Sequence, residues 1–338
     1  MNGVRKADYR YNALNQMTER VEDGIQHSYR YDRRGNLKEE KCGDSLVRQY
    51  LYDATGCMTL GKNLENGEKT EYTYNALYQR VKNIQTRQNH KGNYPEPAKA
   101  ETELYVKRET DYVIDFLSDT HNELMTYEKG NGCIRTVYGP QYQRLSRRVT
   151  TGAETQTPGA VIAGTGIGKA YFQSDLYGSP RFACNETGDV LQYAERNVWG
   201  SLKLPMQEDA NVAGLKDGMR FTTYDYDPVI GKFYAQARFY DAGSGRMLGT
   251  DPVKRGLNGY PYCQNDPVDY VDPTGEILNI LASAGLGALI GGGAGFVGSA
   301  ISQKLSGQKV DWRKALGSAM DGAITGGTKA ALYGSGGG

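Results

Sequence analysis

Histidine is nearly missing from this 338-residue chain: only His27, His90 and His121 occur, too scattered to suggest a metal site or a catalytic triad. The five cysteines (Cys42, Cys57, Cys133, Cys184, Cys263) are odd in number, widely spaced and contain no C-x-x-C pair. That argues against a disulfide framework or a zinc site and for isolated thiols. No cofactor or metal is implied. Charge of either sign is balanced to a formal +1, so no global field selects nucleic acid or an acidic partner. The opening MNGVRKADYRYNALNQ lacks the apolar run of a signal peptide and falls straight into a repeat, as expected for the tail of a longer protein.

Phenylalanine and tryptophan are scarce as well, 7 and 2 against 26 tyrosines. Tyrosine suits a pleated surface with one apolar face and one wet end. It is unevenly placed: beyond residue 276 only Tyr333 remains, and no proline follows Pro273. This shift in composition marks the clearest boundary in the chain.

Four Tyr-x-Tyr units open the sequence, with second tyrosines at Tyr11, Tyr31, Tyr52 and Tyr74, spaced 20 to 22 residues apart. A period of that length implies stacked supersecondary units that bury their apolar faces only against neighbours. Side chains alternate along a strand, so each pair of rings lies on one side. The Asp or Asn that follows starts a turn, clearest in Asp32-Arg-Arg-Gly35 and Asp53-Ala-Thr-Gly56. Each unit therefore reads as strand, tight turn, strand. The ring stripe is read as cross-strand packing, with a sugar-stacking face as the alternative. Residues 87–100 and the Gly/Thr-rich stretch 151–168 are read as loops. Gly164-x-Gly166-x-Gly168 lacks the Lys-Ser/Thr of a phosphate loop. Further strands are expected around Tyr105, Asp111–Phe116, Asn122–Tyr127 and Cys133–Tyr138.

The stretch from Ala237, ARFYDAGSGRMLGTDPVKRGLNGYPYCQNDPVDYVDPTG, holds Asp251-Pro252, Asp266-Pro267 and Asp272-Pro273, with Asp227-Pro228 just upstream. Asp-Pro favours turns, because proline fixes φ and pushes the preceding residue to extended geometry. In order, these motifs closely resemble the RHS (YD-repeat) family, whose repeat-associated core ends the β-shell of many bacterial polymorphic toxins. Asp175-Leu-Tyr-Gly178-Ser179-Pro-Arg181 is similar to another element of that family. The resemblance implies a mainly β fold, an antiparallel shell fragment of a hollow cocoon. On it, residues 1–86 and 87–214 are repeats, 215–275 the core region, and 276–338 a Gly-rich helical pre-toxin segment or linker. It also implies a longer, secreted or envelope-associated chain whose partners are its remaining N-terminal shell and a C-terminal effector.

In that family an arginine and two aspartates cut the chain just after the last DPxG. By resemblance these are Arg238, Asp251 and Asp272, and the bond cut follows Gly275. This sequence departs in having DPVK rather than DPxG at the first motif, and Glu276 where an apolar residue is common. Two neighbouring carboxyls can divide acid and base roles, so a protonated aspartate is expected to polarise the scissile carbonyl. The alternative leaves Asp251 and Asp272 as turn residues and Arg238 paired to a carboxylate.

Residues 277–303 contain no charged side chain, and Gly287, Gly291 and Gly295 fall at four-residue steps, the small-xxx-small pattern of close helix contact. Membrane contact, a packed helical hairpin and a flexible linker all stay open. A second helix is expected from Asp311. Residues 277–338 hold no Cys or His and only Asp311 and Asp321 as acids, little equipment for an effector. The rival to a toxin shell is a glycan-binding repeat protein of the cell surface.

Overall fold

The computed structural model of the protein describes residues 7–88, 105–115, 122–129, 132–139, 143–150, 169–175, 177–203, 207–208, 220–252 and 258–276. Most of these lie in twenty β-strands, and no α-helix occurs among them. Residues 277–303, the glycines within them and the expected helix from Asp311 lie outside the described residues, as do His90, His121 and 151–168. The chain divides into two compact units: Met1–Tyr262 with Pro273–Glu276, and Cys263–Asp272 with Ile277–Gly338.

In the first unit, sixteen strands form one sheet in strict sequence order. It begins with β1 (Ala7–Tyr11), β2 (Met17–Glu22), β3 (Ile25–Tyr31), β4 (Leu37–Cys42), β5 (Ser45–Tyr52), β6 (Met58–Asn63), β7 (Lys69–Tyr74) and β8 (Arg80–Gln88), and runs on to β16 (Gln207–Glu208). Neighbouring strands are antiparallel throughout. The expected strands at Tyr105 and Asp111 are one, β9 (Tyr105–Ile114).

The tyrosine repeat has a structural counterpart at each period. A bulge falls just before the second ring, between Arg10 and Tyr11, Arg30 and Tyr31, Leu51 and Tyr52, and Thr73 and Tyr74. Those rings stand opposite Met17, Leu37, Met58 and Arg80 respectively. The turn between is built the same way each time. The side-chain oxygen of Asp32 accepts the amides of Arg34 and Asn36 at 2.8 and 2.9 Å. Asn12, Asp53 and Asn75 repeat this with the second and fourth residues after them. Asp175, Asn185 and Asn197 repeat it again, three times further along. The acidic or amide residue of the repeat is thus consumed in fixing a five-residue turn.

A four-stranded antiparallel sheet, β17 (Asp225–Asp227), β18 (Lys232–Tyr234), β19 (Phe239–Asp241) and β20 (Arg246–Met247), follows. It shares a core with one face of the repeat sheet: Met17, Tyr29, Leu37, Tyr50, Met58 and Tyr72 meet Val229, Ile230, Tyr234, Phe239 and Leu248. Tyr31, Tyr52 and Tyr74 pack against that core, and the Tyr74 hydroxyl donates to the Met58 carbonyl at 2.9 Å. Rings held in this way offer no open face for a sugar, whereas Tyr9 and Tyr11 of β1 are exposed. A second ring cluster, Phe221, Tyr224, Phe233, Tyr240 and Tyr262, fills the interior of the core region.

In the described part of the second unit, Cys263, Gln264 and Asn265 are all left-handed, with φ of 49°, 51° and 68°. The Asp266 amide closes that turn on the Cys263 carbonyl at 2.8 Å, and the Asp269 amide donates to the Asp266 side chain at 3.2 Å.

Candidate functional site

Two turns of the core region converge on the segment Pro273–Glu276. The first, 221–224, closes with the Tyr224 amide on the Phe221 carbonyl at 2.9 Å. It presents the Thr223 hydroxyl, which donates to the Pro273 carbonyl at 2.8 Å. The second joins β18 to β19. There the Ala235 amide bonds the Arg238 carbonyl at 2.8 Å and Gln236 takes a left-handed φ of 67°. It presents the Ala237 amide, which donates to the Thr274 carbonyl at 3.1 Å, and the Arg238 guanidinium.

Arg238 Nε donates to the Gly275 carbonyl, and Nη1 donates to the Gly259 carbonyl at 2.8 Å. Gly259 O also accepts the Asp251 amide at 3.0 Å, so one carbonyl ties Arg238 to the start of the first DP motif in that region. An arginine thus donates to the carbonyl of the Gly275–Glu276 bond, the carbonyl that the sequence reading assigned to a protonated aspartate. Gly275 itself has a φ of 72°, and any Cβ there would collide with the Ala235 carbonyl oxygen. Only glycine fits the position.

These groups border a cavity of about 900 Å³ whose walls include Arg238, Asp251, Thr274 and Glu276. Asp251 is half-buried. Asp272 is buried and belongs to the second unit, one residue ahead of the point where the chain re-enters the first at Pro273.

The same cavity is walled by four charged residues that the sequence reading passed over: Arg80, Glu123, Arg220 and Asp225. Arg80 starts β8, Glu123 starts β10 (Glu123–Glu128), and Arg220 and Asp225 flank the 221–224 turn. Arg80 Nη2 bonds Glu123 at 2.9 Å and Asp225 at 2.6 Å. Arg220 Nη2 pairs with both carboxylates as well. Arg80 is only 3% exposed, and its guanidinium lies 4.0 Å from the Tyr234 ring centroid and 4.5 Å from that of Tyr112. Burial, with repulsion from Glu123, pushes the Asp225 carboxyl up to about 7 against the pull of Arg220 and Arg80. Burial acts the same way on Glu123, but Arg220, a hydrogen bond from Asp225, and Arg80 hold it well below the carboxylate range. Glu123 is thus held ionised, while Asp225 gives up its proton only as pH rises through about 7. A signal did exist in the sequence: the repeat register puts Arg80 where Met17, Leu37 and Met58 stand in the preceding units.

Among the described residues no group of His, Cys, Asp and Glu is arranged to hold a metal ion, and no helix is long and apolar enough to cross a membrane.

No family model matches the chain. Its sequence is 25% identical over 256 residues to double-stranded DNA deaminase toxin A of Burkholderia cenocepacia, covering 73% of this chain and 17% of that protein. It is 29% identical over 140 residues to the tRNA3(Ser)-specific nuclease WapA of Bacillus spizizenii, covering 39% of this chain and 6% of that one. The chain therefore matches a small part of the length of these relatives. In fold it is similar to a crystal structure of TcdB2-TccC3-TEV, with a TM-score of 0.52 and 16% identity over 80% of this chain and 15% of the other. The Photorhabdus luminescens Tc holotoxin pore, in a form carrying a TccC3 mutation, matches with a TM-score of 0.50 at 16% identity over 82% of this chain and 15% of the other. By its Tyr-Asp/Asn repeats, its core motif, its uninterrupted antiparallel sheet and these toxin relatives, the chain is similar to the RHS (YD-repeat) proteins of polymorphic toxins.

Proposed function

We propose that this chain is the closing part of a toxin shell that encases and releases a C-terminal effector, and that it cuts itself after Gly275. The observation that carries the reading is the Gly275 carbonyl, gripped by Arg238 in the wall of a cavity that also holds Asp251. A fixed guanidinium at a carbonyl oxygen stabilises the negative charge that develops there when water adds. Water bonds to the Gly275 carbonyl carbon and the C–N bond to Glu276 breaks. Both protons of the water end on the Glu276 nitrogen, giving an ammonium group and a Gly275 carboxylate beside Arg238. Asp251 and Asp272 are the carboxyls assigned to move those protons. The three hydrogen bonds on the carbonyls of Pro273, Thr274 and Gly275 hold the bond in one pose. The relatives act on DNA and tRNA by name, which supports an effector beyond the shell rather than chemistry within it.

Mass spectrometry of the denatured variants tests the assignment. Asp251→Asn and Asp272→Asn should each leave the chain uncut, since an amide is neither acid nor base. Arg238→Lys should slow the cut, because a lysine cannot reach both Gly259 and Gly275 with one planar fork. Cutting at the wild-type rate in all three would dismiss these residues.

A further inference from the structure

Arg220 and Asp225 bracket the turn that presents Thr223, and they pair with each other across its base. Arg220 Nη1 also donates to the Thr223 carbonyl at 3.4 Å. Both residues are tied in turn to Arg80 and Glu123 of the repeat sheet. The contacts thus run without a break from the repeat sheet through the charged cluster to Thr223, and from its hydroxyl to the Pro273 carbonyl. Across the β17–β18 ladder Asp225 stands opposite Tyr234, whose neighbour Ala235 packs against Gly275.

We infer that Thr223 and Arg220 are positioning residues for the Pro273–Glu276 segment, and that the Glu123–Asp225 pair sets how firmly the segment is held. The inference deepens the self-cleavage reading but reads out through docking of the segment, which does not require that the bond be cut. The Thr223 hydroxyl bonds the re-entering chain at the Pro273 carbonyl, and the ion pairs lock the turn that carries it.

Hydrogen exchange of the chain tests this, read as a partial loss of protection at the Ala237 amide, which bonds the Thr274 carbonyl at 3.1 Å and the Ala235 carbonyl of its own turn at 2.9 Å. Thr223→Val keeps the shape and deletes the donor. It should speed exchange at Ala237 by about fivefold, the net worth of one hydrogen bond, and leave amides of β3 to β6 unchanged. Asp225→Asn, which removes the charge that pairs with Arg80 and Arg220 at the base of the turn, should speed exchange at Ala237 as well. Unchanged protection in Thr223→Val, or in a folded Asp225→Asn, would overturn the inference. Should Asp225→Asn not fold, the Thr223→Val comparison decides alone. A wild-type chain that is never cut would count against self-cleavage and leave this exchange result standing.

Discussion

The Tyr72 hydroxyl donates to the Asp227 carboxylate at 2.6 Å, joining the fourth tyrosine repeat to the first Asp-Pro motif across 155 residues. Asp227 also accepts Thr70 Oγ1 at 3.3 Å and the Val229 amide at 2.9 Å. The carboxylate is buried, so its donors replace water. Tyr72→Phe removes one of them without changing the ring, and should cost about 1–3 kcal/mol in denaturant unfolding.

A glycine comparison separates backbone strain from packing. Gly24 and Gly275 both have positive φ, 79° and 72°, but a Cβ on Gly24 meets nothing within 4 Å. Gly24→Ala should cost about 1 kcal/mol from backbone geometry alone. Gly275→Ala should also push the segment off Ala235 and lower the rate of cutting at least tenfold. Equal cutting in wild type and Gly275→Ala would contradict the placement of that bond.

Arg80→Met restores the apolar residue of the earlier repeats yet should destabilise the protein. It leaves Glu123 and Asp225 with Arg220 as the one charge from the cluster's arginines, and breaking a buried pair costs about 3–5 kcal/mol. Chemical denaturation of the two proteins at one pH measures this.

The pH dependence of global stability should carry the mark of Asp225. A raised folded-state value contributes stability that is complete below the unfolded carboxylate value near 3.8 and is lost as pH rises through about 7. Glu123 acts in the opposite sense: its lowered value contributes stability above its unfolded value near 4.5, lost only in stronger acid. The stability of wild type relative to Asp225→Asn should therefore decline from pH 5 to pH 8 in thermal melts. A difference that stays flat or rises over that range would contradict it.

The repeat sheet was legible in the sequence because its cause is local. Tyr-x-Tyr, a turn-forming Asp or Asn and the following residue recur together, and each period yields the same bulge and the same five-residue turn. The charged cluster was not, because Arg80, Glu123 and Arg220 meet only once the strands pair across 43 and 97 residues. Arg238 is a third case. Family likeness pointed to the residue, but its grip on the Gly275 carbonyl follows from the left-handed turn at Gln236, which spacing alone does not encode.

Intact mass spectrometry of the purified wild-type chain under denaturing conditions tests the central claim most directly. Two species are expected, residues 1–275 and 276–338, whether or not they co-purify. A single uncut chain at every pH from about 4 to 8, the span of carboxylate titration, would contradict it and leave Arg238 and Asp251 with a purely structural role.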